Sequence, residues 1–395
     1  MAIRVEWGRR VRALWCLLSL CLLGLYAPFA ASAKDLARLP ALGLQADAVT
    51  VSGLSSGAYM AGQFQVAYSG SLAGAAVIAG GPYGCSHGSV GRAMLNCSCP
   101  ADPPFALVLA HAFGGGCQVL NQEDYVGFSE RATRNNEAAG GIDASSNLAR
   151  HRIWLFSGGQ DHVVDRQLVT AVETYYKDMQ VPPAQIHRED LADAGHGFPS
   201  PRAKLECSIT QTPFLTQCHV DAAGELLKWL YPGSPAWQAG VADEKGSLKR
   251  FNQARYGDKK VFSGLDSTGW LYVPKACEHA GAHCRLHVAF HGCEQGQSFE
   301  ANGHEFGTQF VTGAGYNAWA ESGGIVVLYP QVKASTVGSL ASPYQYNPKG
   351  CWDFWGYTSP LGDAGLFSSS PPFARKDAPQ MKAVKAMIDD LLRPR

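Results

Sequence analysis

Apolar positions along the chain fall into short runs separated by Gly-, Pro- and Asp-rich stretches, and two kinds of run alternate. Continuous apolar segments lie at 48–51 (AVTV), 74–79 (GAAVIA), 153–156 (IWLF), 269–273 (GWLYV), 286–290 (LHVAF) and 325–329 (IVVLY). Their shortness and their β-branched and aromatic content predict strands, most of them buried on both faces. Segments that read as helical lie at 58–68, 164–179, 222–230, 309–321 and 378–392, with an apolar face clearest at 222–230 and 378–392. Strands alternating with helices predict an α/β fold with a mostly parallel sheet. Residues 232–257 are mixed and polar and read as a connector. A short extended segment precedes a loop at 194–198, and a Cys- and Gly-rich insertion spans about 80–116.

The N-terminus departs from this alternation. Arg4, Arg9, Arg10 and Arg12 precede one apolar run at 13–25, and Ala31-Ser32-Ala33 then offers a small-residue cleavage site. This arrangement predicts a secretory signal peptide over 1–33, because the run is short for a membrane span; a membrane anchor is the alternative. The product is expected to be secreted, periplasmic or extracellular, with no integral membrane segment after cleavage. Cleavage removes four of the 33 basic residues and one of the 33 acidic ones, leaving a slightly acidic chain without a basic stripe. Nucleic acid is therefore not an expected partner, and the mild charge suits a neutral substrate.

Ten of the 12 cysteines lie beyond that segment. An even number in an exported chain predicts disulfides. Cys207 and Cys218 bracket one short loop, and Cys277 and Cys284 another. Cys85, Cys97, Cys99 and Cys117 form a third group whose pairing the spacing leaves open, and Cys293 and Cys351 remain as a long-range pair. Cys97-Ser98-Cys99 admits zinc as an alternative, but no second pair with metal-ligand spacing accompanies it, so no metal is expected.

Candidate chemistry enters at residues 51–60, VSGLSSGAYM. Gly53-Leu54-Ser55-Ser56-Gly57 matches G-x-S-x-G between a predicted strand and a predicted helix, the context that makes the match specific for a serine nucleophile. Such a turn is strained and crowded, hence the glycines. A serine hydroxyl needs a base, and the base needs an acid to hold its tautomer. In α/β-hydrolases these follow in chain order Ser, Asp or Glu, His. The candidates are Ser55, Asp161 just past the 153–156 strand, and His196 between Gly195 and Gly197. Asp165 competes with Asp161, and His162, His187 and His291 compete with His196. The oxyanion needs backbone donors. Ser56 follows the nucleophile, and Cys293 ends His291-Gly292-Cys293 directly after a predicted strand; a plain strand-to-loop turn stapled by a disulfide is the alternative there.

The order of these pieces is unusual. In ordinary α/β-hydrolases the HG loop precedes the elbow, whereas here it lies far downstream of Ser55. Joining the C-terminus to about residue 46 restores the usual order: strand, HG loop, helix, strand, helix, elbow. The chain is therefore expected to be a circularly permuted α/β-hydrolase, with 232–257 bridging the original ends.

Taken together, LSSGAYM, GGQD, AGHGFP, AFHGCEQ, GYNAWAE, IVVLYPQ and NPKGCWDFWGY, in this order over nearly all of the chain past the signal, resemble the single-domain polyhydroxybutyrate depolymerases. The resemblance implies a single catalytic domain over 34–395 acting as a monomer on polyester. It implies Ser55, Asp161 and His196 as the triad and the Ser56 and Cys293 amides as the oxyanion hole. Short-chain polyhydroxyalkanoate esters would be cleaved to hydroxyacid oligomers, with no metal or organic cofactor. Phe354 stands where similar sequences often carry Trp. Four aromatics follow Cys351, and Trp352 or Trp355 is expected to touch substrate; ordinary core aromatics are the alternative. Two rival readings stand beside this one, a secreted carboxylesterase acting on small or plant-derived esters and an inactive polyester-binding protein.

Overall fold

A computed structural model describes residues 36–98, 122–234, 237–238, 240–301, 303–340, 342–359 and 370–395. The signal-peptide reading of 1–33, Cys99, Cys117 and much of the 80–116 insertion lie outside the described residues.

Eight strands form one sheet: β1 (Val49–Leu54), β2 (Gly74–Ile78), β3 (Arg152–Gly158), β4 (Ile186–Leu191), β5 (Ser247–Asn252), β6 (Thr268–Val273), β7 (Arg285–Phe290) and β8 (Ile325–Tyr329). Their spatial order is β4-β3-β2-β1-β7-β8-β6-β5. The first six pair in parallel, and β6 is antiparallel to both β8 and β5. The central strands β1, β2 and β8 are buried at every position, as expected of strands covered on both faces. The edge strands β4 and β5 are partly exposed and carry charge, which discourages pairing with another chain. The stretch 232–257, expected to be a connector, thus contributes an edge strand of the sheet at 247–252.

The helices are α1 (Ser56–Ala67), α2 (Val90–Leu95), α3 (Gln122–Ala138), α4 (Arg166–Asp178), α5 (Ala222–Leu230), α6 (Gln309–Gly313), α7 (Tyr316–Gly323) and α8 (Pro379–Leu392). Asp165 and Asp221 cap α4 and α5 by accepting from Gln167 N–H and Gly224 N–H, satisfying donors that have no partner inside a helix. The single helix expected over 309–321 is two, broken where Gly315 takes φ 94°. Among the described residues no helix is long and apolar enough to cross a membrane.

Followed from β5 to α8 and then from β1 to β4, the sheet positions read 1-2-4-3-5-6-7-8. In that reading the HG loop follows the third strand and the elbow follows the fifth, so the fold is a permuted α/β-hydrolase. The joint is physical. Leu42 N–H donates to the Leu391 carbonyl at 3.1 Å and Gly43 N–H to that of Arg393 at 2.9 Å, so the end of α8 lies against the segment entering β1.

Four disulfides are present among the described residues. Cys207–Cys218, Cys277–Cys284 and Cys293–Cys351 pair as their spacing suggested, and Cys85 pairs with Cys97.

Candidate active site

The elbow is built by backbone crowding. Ser55 adopts φ 56°, ψ −122°, a conformation an L-residue holds only when its surroundings enforce it. Its N–H donates to the Ile78 carbonyl at 2.9 Å, and its own carbonyl accepts from Ala58 and Tyr59 N–H, so β2 and α1 grip the residue from both sides. A Cβ on Gly53 would fall 2.2 Å from the Gly57 carbonyl, and one on Gly57 would fall 2.4 Å from the carbonyl oxygens of Phe290 and His291. Glycine is required at both positions by space alone. Ser56 opens α1, where a backbone N–H has no partner within the helix.

Asp161 and His196 come from loops at the C-terminal ends of β3 and β4, where parallel sheets place their sites. The loops are tied together, with Gly159 N–H donating to the Leu191 carbonyl (2.7 Å) and Gln160 N–H to that of Ala194 (2.9 Å). His196 Nδ1 donates to Asp161 Oδ2 at 2.8 Å, and both side chains are almost wholly buried. The other Asp161 oxygen accepts from Val163 and Val164 N–H, each at 2.8 Å. The carboxylate is thus fixed in orientation, and His196 keeps Nε2 as an acceptor. His196 N–H is held by Thr210 Oγ1 at 2.9 Å.

The competing residues lie elsewhere or are committed. Asp165 is the α4 cap. His162 is exposed, and His187 stands on β4 near Glu189. His291 is fully buried, and burial pushes its pKa down to about 4. Its Nε2 accepts from Val332 N–H at 3.2 Å, so Nδ1 carries the proton and donates to the Gly292 carbonyl at 2.7 Å. It is a neutral structural group that shapes the HG loop.

That loop sits beside Ser55: a Cβ on Gly292 would be 3.5 Å from Ser55 Cβ. Gln295, which sequence reasoning did not single out, braces it. Its Oε1 accepts from Gly292 N–H and its Nε2 donates to the Pro213 carbonyl, both at 2.7 Å. The HG loop is thereby tied to the 210–214 segment that supports His196. The Cys293–Cys351 bridge joins the same loop to the aromatic stretch that follows Cys351.

Ser55, His196, Gly292 and Cys293 line one cavity of ≈ 440 Å³, walled chiefly by apolar side chains. Trp355 and Phe354 are among its lining residues; Trp352 is not. Trp352 has no exposed surface and packs edge-on against Phe290 at 4.9 Å between centroids. Of the two tryptophans expected at substrate, Trp355 lines the cavity and Trp352 belongs to the core beneath it. Phe354 stacks on Tyr59 at 4.5 Å. Tyr59 was not expected in the wall, although its position four residues after Ser55 on α1 places it on the same helical face.

No protein-family model matches the chain. Among curated proteins, the poly(3-hydroxybutyrate) depolymerase of Delftia acidovorans is 35% identical over 356 residues, covering 89% of this chain but 61% of the relative. The chain thus spans less than two thirds of that relative's length. The polyhydroxybutyrate depolymerase of Talaromyces funiculosus is 32% identical over 330 residues, covering 81% of this chain and 85% of the relative. Among solved structures, the PHB depolymerase of Penicillium funiculosum superposes with a TM-score of 0.69 at 27% identity, covering 90% of this chain and 98% of its own. A serine-to-alanine variant of a PHB depolymerase complexed with an R3HB trimer gives a TM-score of 0.68 at 28% identity, with the same two coverages.

Proposed function

The chain belongs to the polyhydroxybutyrate depolymerase family, and from that premise we propose that it is an exported serine esterase that hydrolyses poly(3-hydroxybutyrate)-type polyesters to hydroxyacid oligomers and monomers. The observation that carries the reading is the oriented Asp161–His196 pair opening on the same apolar cavity as a strained Ser55. Four disulfides support export, since such bonds persist in oxidising compartments. Ala37–Arg395 forms one compact unit, which supports a single catalytic domain.

In this reading Ser55 Oγ attacks the ester carbonyl carbon and passes its proton to His196 Nε2. The carbonyl electrons move onto oxygen, where the Ser56 and Cys293 N–H groups hold the charge. Collapse breaks the ester C–O bond, and His196 gives its proton to the departing hydroxyl end. Water, deprotonated by His196, then attacks the acyl-enzyme, releasing the acid and restoring Ser55. Asp161 holds the imidazole tautomer and stabilises the imidazolium throughout. Phe354, Trp355, Tyr59 and Phe214 offer the uncharged polyester backbone an apolar wall.

The test is product analysis on amorphous poly(3-hydroxybutyrate), with Ser55→Ala as control and labelling by a serine-directed fluorophosphonate. Hydroxyacid release and labelling, both lost in Ser55→Ala, are expected. Turnover of p-nitrophenyl butyrate without attack on polymer would favour a small-ester carboxylesterase, and absence of labelling would leave a binding protein.

A further inference from the structure

We propose that helix α2 is the wall that limits the length of the hydroxyacid side chain, with Val90 and Met94 as specificity residues; this rests on the polyester reading above. Val90, Ala93 and Met94 stand at i, i+3 and i+4, the spacing that puts three side chains on one helical face. All three line the cavity that holds Ser55 and His196. The helix belongs to the 80–116 insertion, to which nothing in the catalytic reading gives a role.

A six-residue helix does not persist by itself, and this one is anchored at both ends. Cys85–Cys97 closes a bridge around it. Ser89 caps its start by accepting from Arg92 N–H at 3.4 Å, and Ser98 Oγ donates to the Ala93 carbonyl at 2.7 Å near its end. Tyr125 OH donates to the Asn96 carbonyl at 2.8 Å.

Two further bonds set the wall's position against the reaction centre. Tyr59, one turn beyond Ser55 on α1, donates its hydroxyl to the Cys97 carbonyl at 2.5 Å. Ser86 Oγ donates to the carbonyl of Phe354, whose ring stacks directly on Tyr59 in the cavity wall. The wall therefore cannot recede without moving the nucleophile helix or the aromatic side. A fixed apolar wall discriminates by volume, and one methylene in such a pocket is worth about 10- to 200-fold in relative rate.

The experiment compares kcat/KM for soluble trimers of 3-hydroxybutyrate and 3-hydroxyhexanoate in the wild type, Met94→Ala and Val90→Phe. Met94→Ala is expected to lower the preference for the shorter side chain by about 10-fold, and Val90→Phe to raise it by a similar factor. Both substrates are measured in one preparation, so any unfolded fraction cancels in the ratio. Ratios within about threefold of wild type in both variants would overturn the proposal. If the wild type cleaves neither trimer, the polyester reading fails, and the wall is still read from p-nitrophenyl butyrate against p-nitrophenyl hexanoate with the same expected directions.

Discussion

A Cβ on Gly57 would lie 2.4 Å from the backbone oxygen of His291. The first turn of α1 and the loop after β7 therefore touch backbone to backbone, with no side chain between them. This contact joins parts of the chain more than 200 residues apart. It also brings together the two segments whose amides are proposed to hold the oxyanion, Ser56 and Cys293. Donors fixed in this way need no reorganisation as charge develops.

Gly57→Ala is the direct test of that contact. The added methyl meets main chain on the facing strand end, and main chain cannot turn aside as a side chain can. Overpacking of this kind costs about 1–3 kcal/mol, and any relief must part α1 from the HG loop. Lower stability in urea and a fall in kcat larger than the change in KM are expected. A variant with wild-type kcat and stability would show that the loop is not held by α1.

Asp161→Asn separates orientation from charge. The Asn carbonyl oxygen can keep the Val163 and Val164 N–H bonds, which leaves the amide NH₂ facing His196 Nδ1. The imidazole must then carry its proton on Nε2 and cannot accept one from Ser55. A loss of about 10⁴ in kcat with little change in KM is expected, read from initial rates on a soluble ester. A loss below tenfold would point to another acid.

Much of this arrangement was legible in the chain, for identifiable reasons. The central strands announced themselves as apolar runs because both their faces are covered, and 325–329 matches β8 to the residue. Ser55, Asp161 and His196 each stand directly beyond such a strand or between glycines, so motif and register pointed the same way. The edge strands were faint. β5 (SLKRFN) hides in a polar stretch because its outer positions face water, and that polarity mimics a connector. Trp352 and Trp355 are equivalent on paper, and only the packing of Phe290 against Trp352 separates core from wall. Gln295 left no signal, because its role depends on Pro213, 82 residues away.

Asp353→Asn tests how the aromatic wall is held. The Asp353 carboxylate is fully buried and accepts from Trp355, Gly356, Tyr357 and Thr358 N–H and from Thr358 Oγ1. Burial pushes this carboxyl up from its ordinary value, and the hydrogen bonds oppose that shift. Four of the five donors are main-chain N–H groups, which can only donate, so both oxygens are needed as acceptors. In the Asn variant the NH₂ group faces donors, leaving buried N–H groups without an acceptor at a cost of about 1–3 kcal/mol. Reduced stability in urea is expected, with a raised KM for hydroxyacid oligomers as Trp355 loses its anchor. Unchanged stability would mean that the loop is held by its ring packing alone.

Four histidines make stability depend on pH, among them His87, whose pKa burial pushes down to about 3. His287, His291 and His151 have no exposed surface, and burial pushes their pKa values down to about 3, 4 and 4. His287 bridges Thr50 and Ser52 on β1, so its neutral form is built into the sheet below the elbow. Unfolding returns each ring to an ordinary value near 6.5, where it binds a proton that the folded protein refuses. Stability should therefore be level above about pH 7 and fall as pH drops through 6.5 toward 4. The slope grows toward four protons, each worth about 1.4 kcal/mol per pH unit. Below about pH 4 the folded rings begin to protonate as well and this contribution stops changing. Urea unfolding at pH 7.5, 6.5 and 5.5, where carboxylates remain ionised, measures the effect. Stability that stayed constant or rose on acidification across that range would show that these rings are charged in the folded protein.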